Sequence, residues 1–96
     1  MTTKQLLIEK KDAIKQIAVK HGASNVRLFG SVARGEDTAQ SDIDLLVDVG
    51  SATSSWFPAG LISDLEDLLG KRVEVVTEGA LYKGIRETVL SEAKPL

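Results

Sequence analysis

Two stretches of this chain carry residue types that can do chemistry together. Gly30-Ser31-Val32-Ala33-Arg34-Gly35-Glu36 is followed, after a short polar gap, by Ser41-Asp42-Ile43-Asp44-Leu45-Leu46-Val47. A Gly-Ser turn opening a short helix directs backbone N–H groups at an anion. Two acids at i and i+2 on a strand project from one face, about 6.6 to 7 Å apart at Cα, and can lean together onto metal ions about 3.5 to 4 Å apart. Asp48 shares that face but lies about 13 Å beyond Asp44, too far to join the same cluster. Glu74, flanked by Val73 and Val75, is the only acid inside a later apolar stretch and is the candidate for a third ligand. Asp42, Asp44 and Glu74 would suit Mg²⁺, which takes a few hard oxygen ligands and leaves its other positions to water and substrate phosphates. Ser31 and the N–H groups around Gly30 would hold the distal phosphates, with Arg34 adding positive charge one turn on. The chemistry indicated is phosphoryl or nucleotidyl transfer, which depends on positioning and charge neutralisation and requires no protein nucleophile. A P-loop kinase is disfavoured, because Gly30-Ser31 lacks the Lys that completes that motif.

These residues must be positioned by the elements around them. Leu6, Leu7, Ala13, Ile14, Ile17 and Ala18 recur at helical spacing and Gly22 supplies a stop, which predicts one leading helix. Asn25–Phe29 reads as a short strand running into Gly30-Ser31, and Gly35 ends the helix that follows within a turn or two. From Asp42 to Val49 the acids alternate with Ile43, Leu45, Val47 and Val49, a period-2 strand with one wholly apolar face. Ser41 is expected to shape the entry to that strand. Residues 50–58 read as a flexible connection, with Pro58 in the first turn of a helix whose stripe is Leu61, Ile62, Leu65, Leu68 and Leu69, capped by Gly70. Asp64, Glu66 and Asp67 face water, and Lys71-Arg72 is a solvated charge pair leading into the strand Val73–Val76. Leu81, Ile85, Val89 and Leu90 mark a last helix. The expected fold is α/β (α+β), a small mixed sheet flanked by helices in the order α-β-α-β-α-β-α. His21 is expected at a helix end without catalytic duty, and Trp56 and Phe57 as anchors, or as an exposed pair that meets a partner or a base.

The chain has 96 residues, enough for a single domain (1–96), with 43% hydrophobic and 27% charged content. A net charge of -2 argues against long nucleic acid as a partner, since such domains concentrate Lys and Arg. Without cysteine and with one histidine, any metal must sit on oxygen ligands. Neither a signal peptide nor a membrane span is legible, so a cytoplasmic location is expected.

Gly-Ser-x-Ala-Arg-Gly followed by Ser-Asp-Ile-Asp-Leu-Leu-Val resembles the minimal nucleotidyltransferases, the smallest members of the superfamily sharing the palm-like fold of DNA polymerase beta. The likeness extends to the leading helix, the Leu-rich helix, the Val-x-Val-Val strand and the Leu-x-x-x-x-Arg-x-x-Val-Leu tail, almost the whole chain. It implies two Mg²⁺ ions on Asp42, Asp44 and Glu74, and ATP as substrate with phosphates at Gly30 and Ser31. The family usually has Asp at the third acid, so Glu74 would displace a carboxylate by about 1 to 1.5 Å unless the backbone compensates. Members are often encoded beside a helical HEPN-type protein as toxin–antitoxin pairs, and some move AMP from ATP onto that partner. Two functions therefore stand as expectations: an enzyme transferring a nucleoside monophosphate, AMP by the resemblance, to a hydroxyl of a partner protein, or an antitoxin-like subunit that neutralises its partner by contact. Nucleotide preference, acceptor residue and self-association are left open by the residues.

Overall fold

The computed structural model describes residues 2–50 and 57–96. Its elements run α1 (Thr3–Glu9), α2 (Lys11–Lys20), β1 (Ala23–Phe29), α3 (Gly30–Arg34), β2 (Ile43–Val49), α4 (Ala59–Leu69), β3 (Val73–Thr77), a 3₁₀ turn (Glu78–Ala80), α5 (Lys83–Glu92) and β4 (Lys94–Pro95). The four strands form one mixed sheet in the order β3-β2-β1-β4. β1 lies antiparallel to both β2 and β4, whereas β2 and β3 are parallel. The expected sheet flanked by helices is therefore the observed one.

One cluster gathers Leu7, Ile14 and Ala18 from α1 and α2, Val26 and Leu28 from β1, Ile43, Leu45 and Val47 from β2, Leu61, Leu65 and Leu69 from α4, and Val73 and Val75 from β3. The alternate strand residues all enter it, so α1, α2 and α4 cover one face of the sheet. Burying each large aliphatic side chain there contributes about 1.5–3 kcal/mol. The opposite face carries Arg27 and Phe29 of β1, Asp44 and Leu46 of β2, and Glu74 and Val76 of β3, paired across the ladder. Leu46 (0% exposed) and Val89 of α5 are buried outside the main cluster. Polar links hold α5 at both ends. Arg86 meets Glu78 at 3.6 Å, Glu78 meets Arg27 at 3.1 Å, and Arg27 meets Asp48 at 2.6 Å. At the far end Arg34 of α3 pairs with Glu92.

The structure corrects the expected layout in three places. The leading helix is two helices broken at Lys10, whose backbone (φ -98°, ψ 8°) ends α1 with its N–H bonded to Leu6 while its carbonyl accepts from Ile14. A short fourth strand, β4, pairs with Arg27 and Leu28. Asp42 precedes β2 rather than opening it. Gly22 and Gly70 follow their helices as expected, both with positive φ. His21 caps α2 and its Nε2 lies 2.7 Å from Asp64 Oδ2, so Asp64 of α4 faces His21 rather than water alone. Phe57 packs partly buried against the core. Trp56, and the connection 51–55, lie outside the described residues.

Candidate active site

The strand-to-helix turn at Gly30 is built for a close approach. Gly30 has φ +78°, a conformation that side chains rarely adopt. A Cβ there would stand 2.1 Å from Asp44 Oδ2 and 3.0 Å from its Cγ. Glycine is thus required for the backbone angle and for space, because the carboxylate of Asp44 lies against the first residue of α3. Phe29 is the cross-strand partner of Asp44, which brings the end of β1 and the middle of the acid row together.

The parallel pairing of β2 with β3 sets Glu74 opposite Asp44 in register. That register is held at its start by Ile43 N–H donating to the Arg72 carbonyl (2.9 Å) and Val73 N–H donating to Glu66 Oε2 (3.0 Å). Before β2, the Ser41 hydroxyl accepts from Thr38 N–H at 2.9 Å, and Ser41 N–H donates to the Thr38 carbonyl, so Ser41 shapes the strand entry as expected. Asp42 is reached by Arg72, whose Nε stands 3.8 Å from Asp42 Oδ1.

Charge in this row is unbalanced. Burial, then the negative charge of Glu74, then that of Asp42, pushes the Asp44 carboxyl up from 3.8 to about 6, with Arg34 partly offsetting the shift. Among the described residues no three His, Cys, Asp or Glu side chains stand ready as a metal cluster. Asp44 and Glu74 are register partners, and Asp42 is held toward Arg72. The donors are all oxygens, and the crowding of negative charge at Asp44 is what a hard cation relieves, so these residues fit Mg²⁺ chemically.

Of the expected phosphate ligands, Gly30 and Ser31 begin α3 beside Asp44. Arg34 closes the same helix with its guanidinium occupied, Nη1 by Glu92 and Nε by Glu36 at 3.3 Å. Both carboxylates hold it protonated, Glu92 more strongly. Its unengaged N–H donors are those a phosphate could use. Sequence reasoning missed Glu92, since no spacing rule links positions 34 and 92.

Comparisons with known proteins bear on the family and the fold. The family model for the nucleotidyltransferase domain matches residues 8–96. The protein adenylyltransferase MntA of Thermococcus cleftensis is 40% identical over 78 residues, spanning 81% of this chain and 79% of the relative. A candidate protein adenylyltransferase of Methanocaldococcus jannaschii is 39% identical over 85 residues, 88% of this chain and 91% of the relative. A solved candidate minimal nucleotidyltransferase superposes with TM-score 0.86 at 44% identity, covering 100% of this chain and 97% of that one. A toxin–antitoxin structure with AMP-PNP shares the fold, with TM-score 0.74 at 21% identity over 88% of this chain and 70% of that one. No helix among the described residues is long and apolar enough to cross a membrane. With a strand-borne acid pair, a glycine turn against it and these relatives, the chain belongs to the nucleotidyltransferase domain family, as a nucleotidyltransferase similar to the protein adenylyltransferase MntA.

Proposed function

We propose that this protein transfers AMP from Mg-ATP to a hydroxyl group of a partner protein, as the antitoxin of a toxin–antitoxin pair whose toxin is of the HEPN type. The observation that carries the reading is the meeting of Gly30, Asp44 and Glu74, three positions from three elements gathered at one end of the sheet. The names of the relatives at 39–40% identity supply the substrate class. Asp42, Asp44 and Glu74 would hold Mg²⁺, which supplies activation of the attacking oxygen and charge neutralisation on the phosphates when bound.

Gly30 and Ser31 hold the β- and γ-phosphates through backbone N–H groups and the Ser31 hydroxyl, and Arg34 adds its free donors beside them. The acceptor oxygen bonds to the α-phosphorus and the bond to the β-phosphate oxygen breaks. Pyrophosphate leaves with that electron pair, and the hydroxyl proton passes to the Glu74 carboxylate and on to solvent.

Mass spectrometry of the partner encoded beside this chain, after incubation with the protein and Mg-ATP, tests the reading. An AMP-sized adduct that the Asp42→Asn, Asp44→Asn double variant does not produce is the expected result. A complex that blocks the partner with no adduct would replace it by neutralisation through contact, with Glu74 in place of Asp as the first cause to examine.

A further inference from the structure

The acid row has two sides. Gly30 and Ser31, at the end of β1, flank it on one side, and β3 with Glu74 flanks it on the other. In-line displacement puts the leaving pyrophosphate and the attacking oxygen on opposite sides of the transferred phosphorus. With phosphates on the β1 side, the acceptor approaches from the β3 side. A polar cleft of about 260 Å³ lies there, where the approach to β2 meets the α4–β3 turn, lined by Gln40, Ser41, Asp42, Gly70, Lys71 and Arg72. Its Asp42 wall is shared with the acid row, so a group seated in it is beside the reacting centre.

The cleft is also where the chain, negative overall at -2, gathers two adjacent cations. Arg72 reaches Asp42 with Nε at 3.8 Å while its side chain remains 85% exposed, which leaves most of its donors facing solvent. Lys71 forms no ion pair among the described residues. Together they present a planar fork and a point charge, suited to carboxylates and backbone carbonyls.

We infer that the cleft between residues 40–42 and 70–72 seats the acceptor, a protein segment in which acidic side chains flank the hydroxyl-bearing residue. This rests on nucleotidyl transfer at the acid row. Lys71 and Arg72 bind the flanking carboxylates, and the hydroxyl is presented to the centre past Asp42.

Amide chemical-shift titration of the ¹⁵N-labelled full chain tests it in two arms. In the first, Mg²⁺ with α,β-methylene-ATP, which cannot transfer AMP, should shift Gly30 and Ser31; absence of that shift overturns the nucleotide reading itself. In the second, a tyrosine-centred peptide flanked by aspartates is added with and without the analogue, beside the same peptide flanked by lysines. The acidic peptide should shift residues 40–42 and 70–72, weaken about tenfold on the Lys71→Gln, Arg72→Gln double variant, and be lost as added salt screens the exposed charges. Shifts elsewhere, no binding of the acidic peptide, equal binding of the lysine peptide, or unchanged affinity in a double variant whose spectrum remains that of the folded chain would each overturn the acceptor assignment.

Discussion

Gly30→Ala separates the two reasons for glycine at the strand-to-helix turn. Alanine at φ +78° costs about 1–2 kcal/mol in backbone strain, equivalent to a fall in Tm of about 5–15 °C for a domain of this size. The new Cβ would also stand 2.1 Å from Asp44 Oδ2, where an ordinary carbon–oxygen contact is about 3.3 Å, so the carboxylate must retreat by about 1.2 Å. A displacement of about 1 Å at a reacting centre lowers turnover on the order of 100-fold. Gly35→Ala is the matched control, because Gly35 has φ +74° and open space around its would-be Cβ. Both variants should lose comparable stability in thermal unfolding, and only Gly30→Ala should lose AMP transfer by about 100-fold when measured below its transition. Wild-type transfer by folded Gly30→Ala, or an equal loss in Gly35→Ala, would refute the claim that the turn sets the position of Asp44.

Other consequences can be measured without a partner. Because the folded-state pKa of Asp44 is raised to about 6, its ionisation opposes folding above that pH, and the penalty is relieved as pH falls toward 4. For this half-exposed carboxyl the screened penalty is about 1 kcal/mol, so Asp44→Asn should raise the metal-free Tm at neutral pH by about 5 °C and flatten its dependence across that interval; an unchanged Tm and slope would contradict this. The hydrogen bond from His21 holds Asp64 below the usual carboxylate range, so its contribution is present above about pH 4 and lost as pH falls through the depressed value. Asp64→Asn should flatten that acid limb in a thermal melt, and an unaltered limb would count against the α2–α4 link. Leu46→Ala should cost about 2–5 kcal/mol in denaturant titration, since Leu46 is fully buried, and a loss under about 1 kcal/mol would show the site face to be soft. Glu92→Gln breaks the clasp on Arg34, so amides of α5 should exchange faster while those of β2 do not; unchanged α5 protection would disprove the clasp.

What could be read beforehand follows from where the signals are local. The alternation from Ile43 to Val49 settled β2 and its faces because one side is wholly apolar and a one-residue error would bury Asp44. The helix stops at Gly22 and Gly70 were equally plain, since their left-handed backbone strongly favours glycine. The break at Lys10 was not legible, because Glu9-Lys10-Lys11 contains no residue that disfavours helix, and Leu7 and Ile14 on either side of it enter the same core cluster. β4 is two residues containing a proline, too short for any period. For the candidate site, residue type and spacing singled out Gly30, Asp44 and Glu74, which the fold brings together. The occupation of Arg34 by Glu92, and the contact of Gly30 with Asp44, depend on tertiary placement and leave no mark in the neighbouring residues.

The pairing of Asp44 with Glu74 joins strands thirty positions apart through a parallel crossover that includes α4. Slip by one position in either direction would bring a valine opposite Asp44 and turn Glu74 toward the helices, so an offset sheet has no site at all. The centre therefore exists only in chains that have completed this non-local parallel pairing. A ligand that needs this centre selects the finished fold by mass action, stabilising it against every partly paired form. If nucleotide binds here as proposed, it would stabilise the in-register sheet as well as being consumed by it.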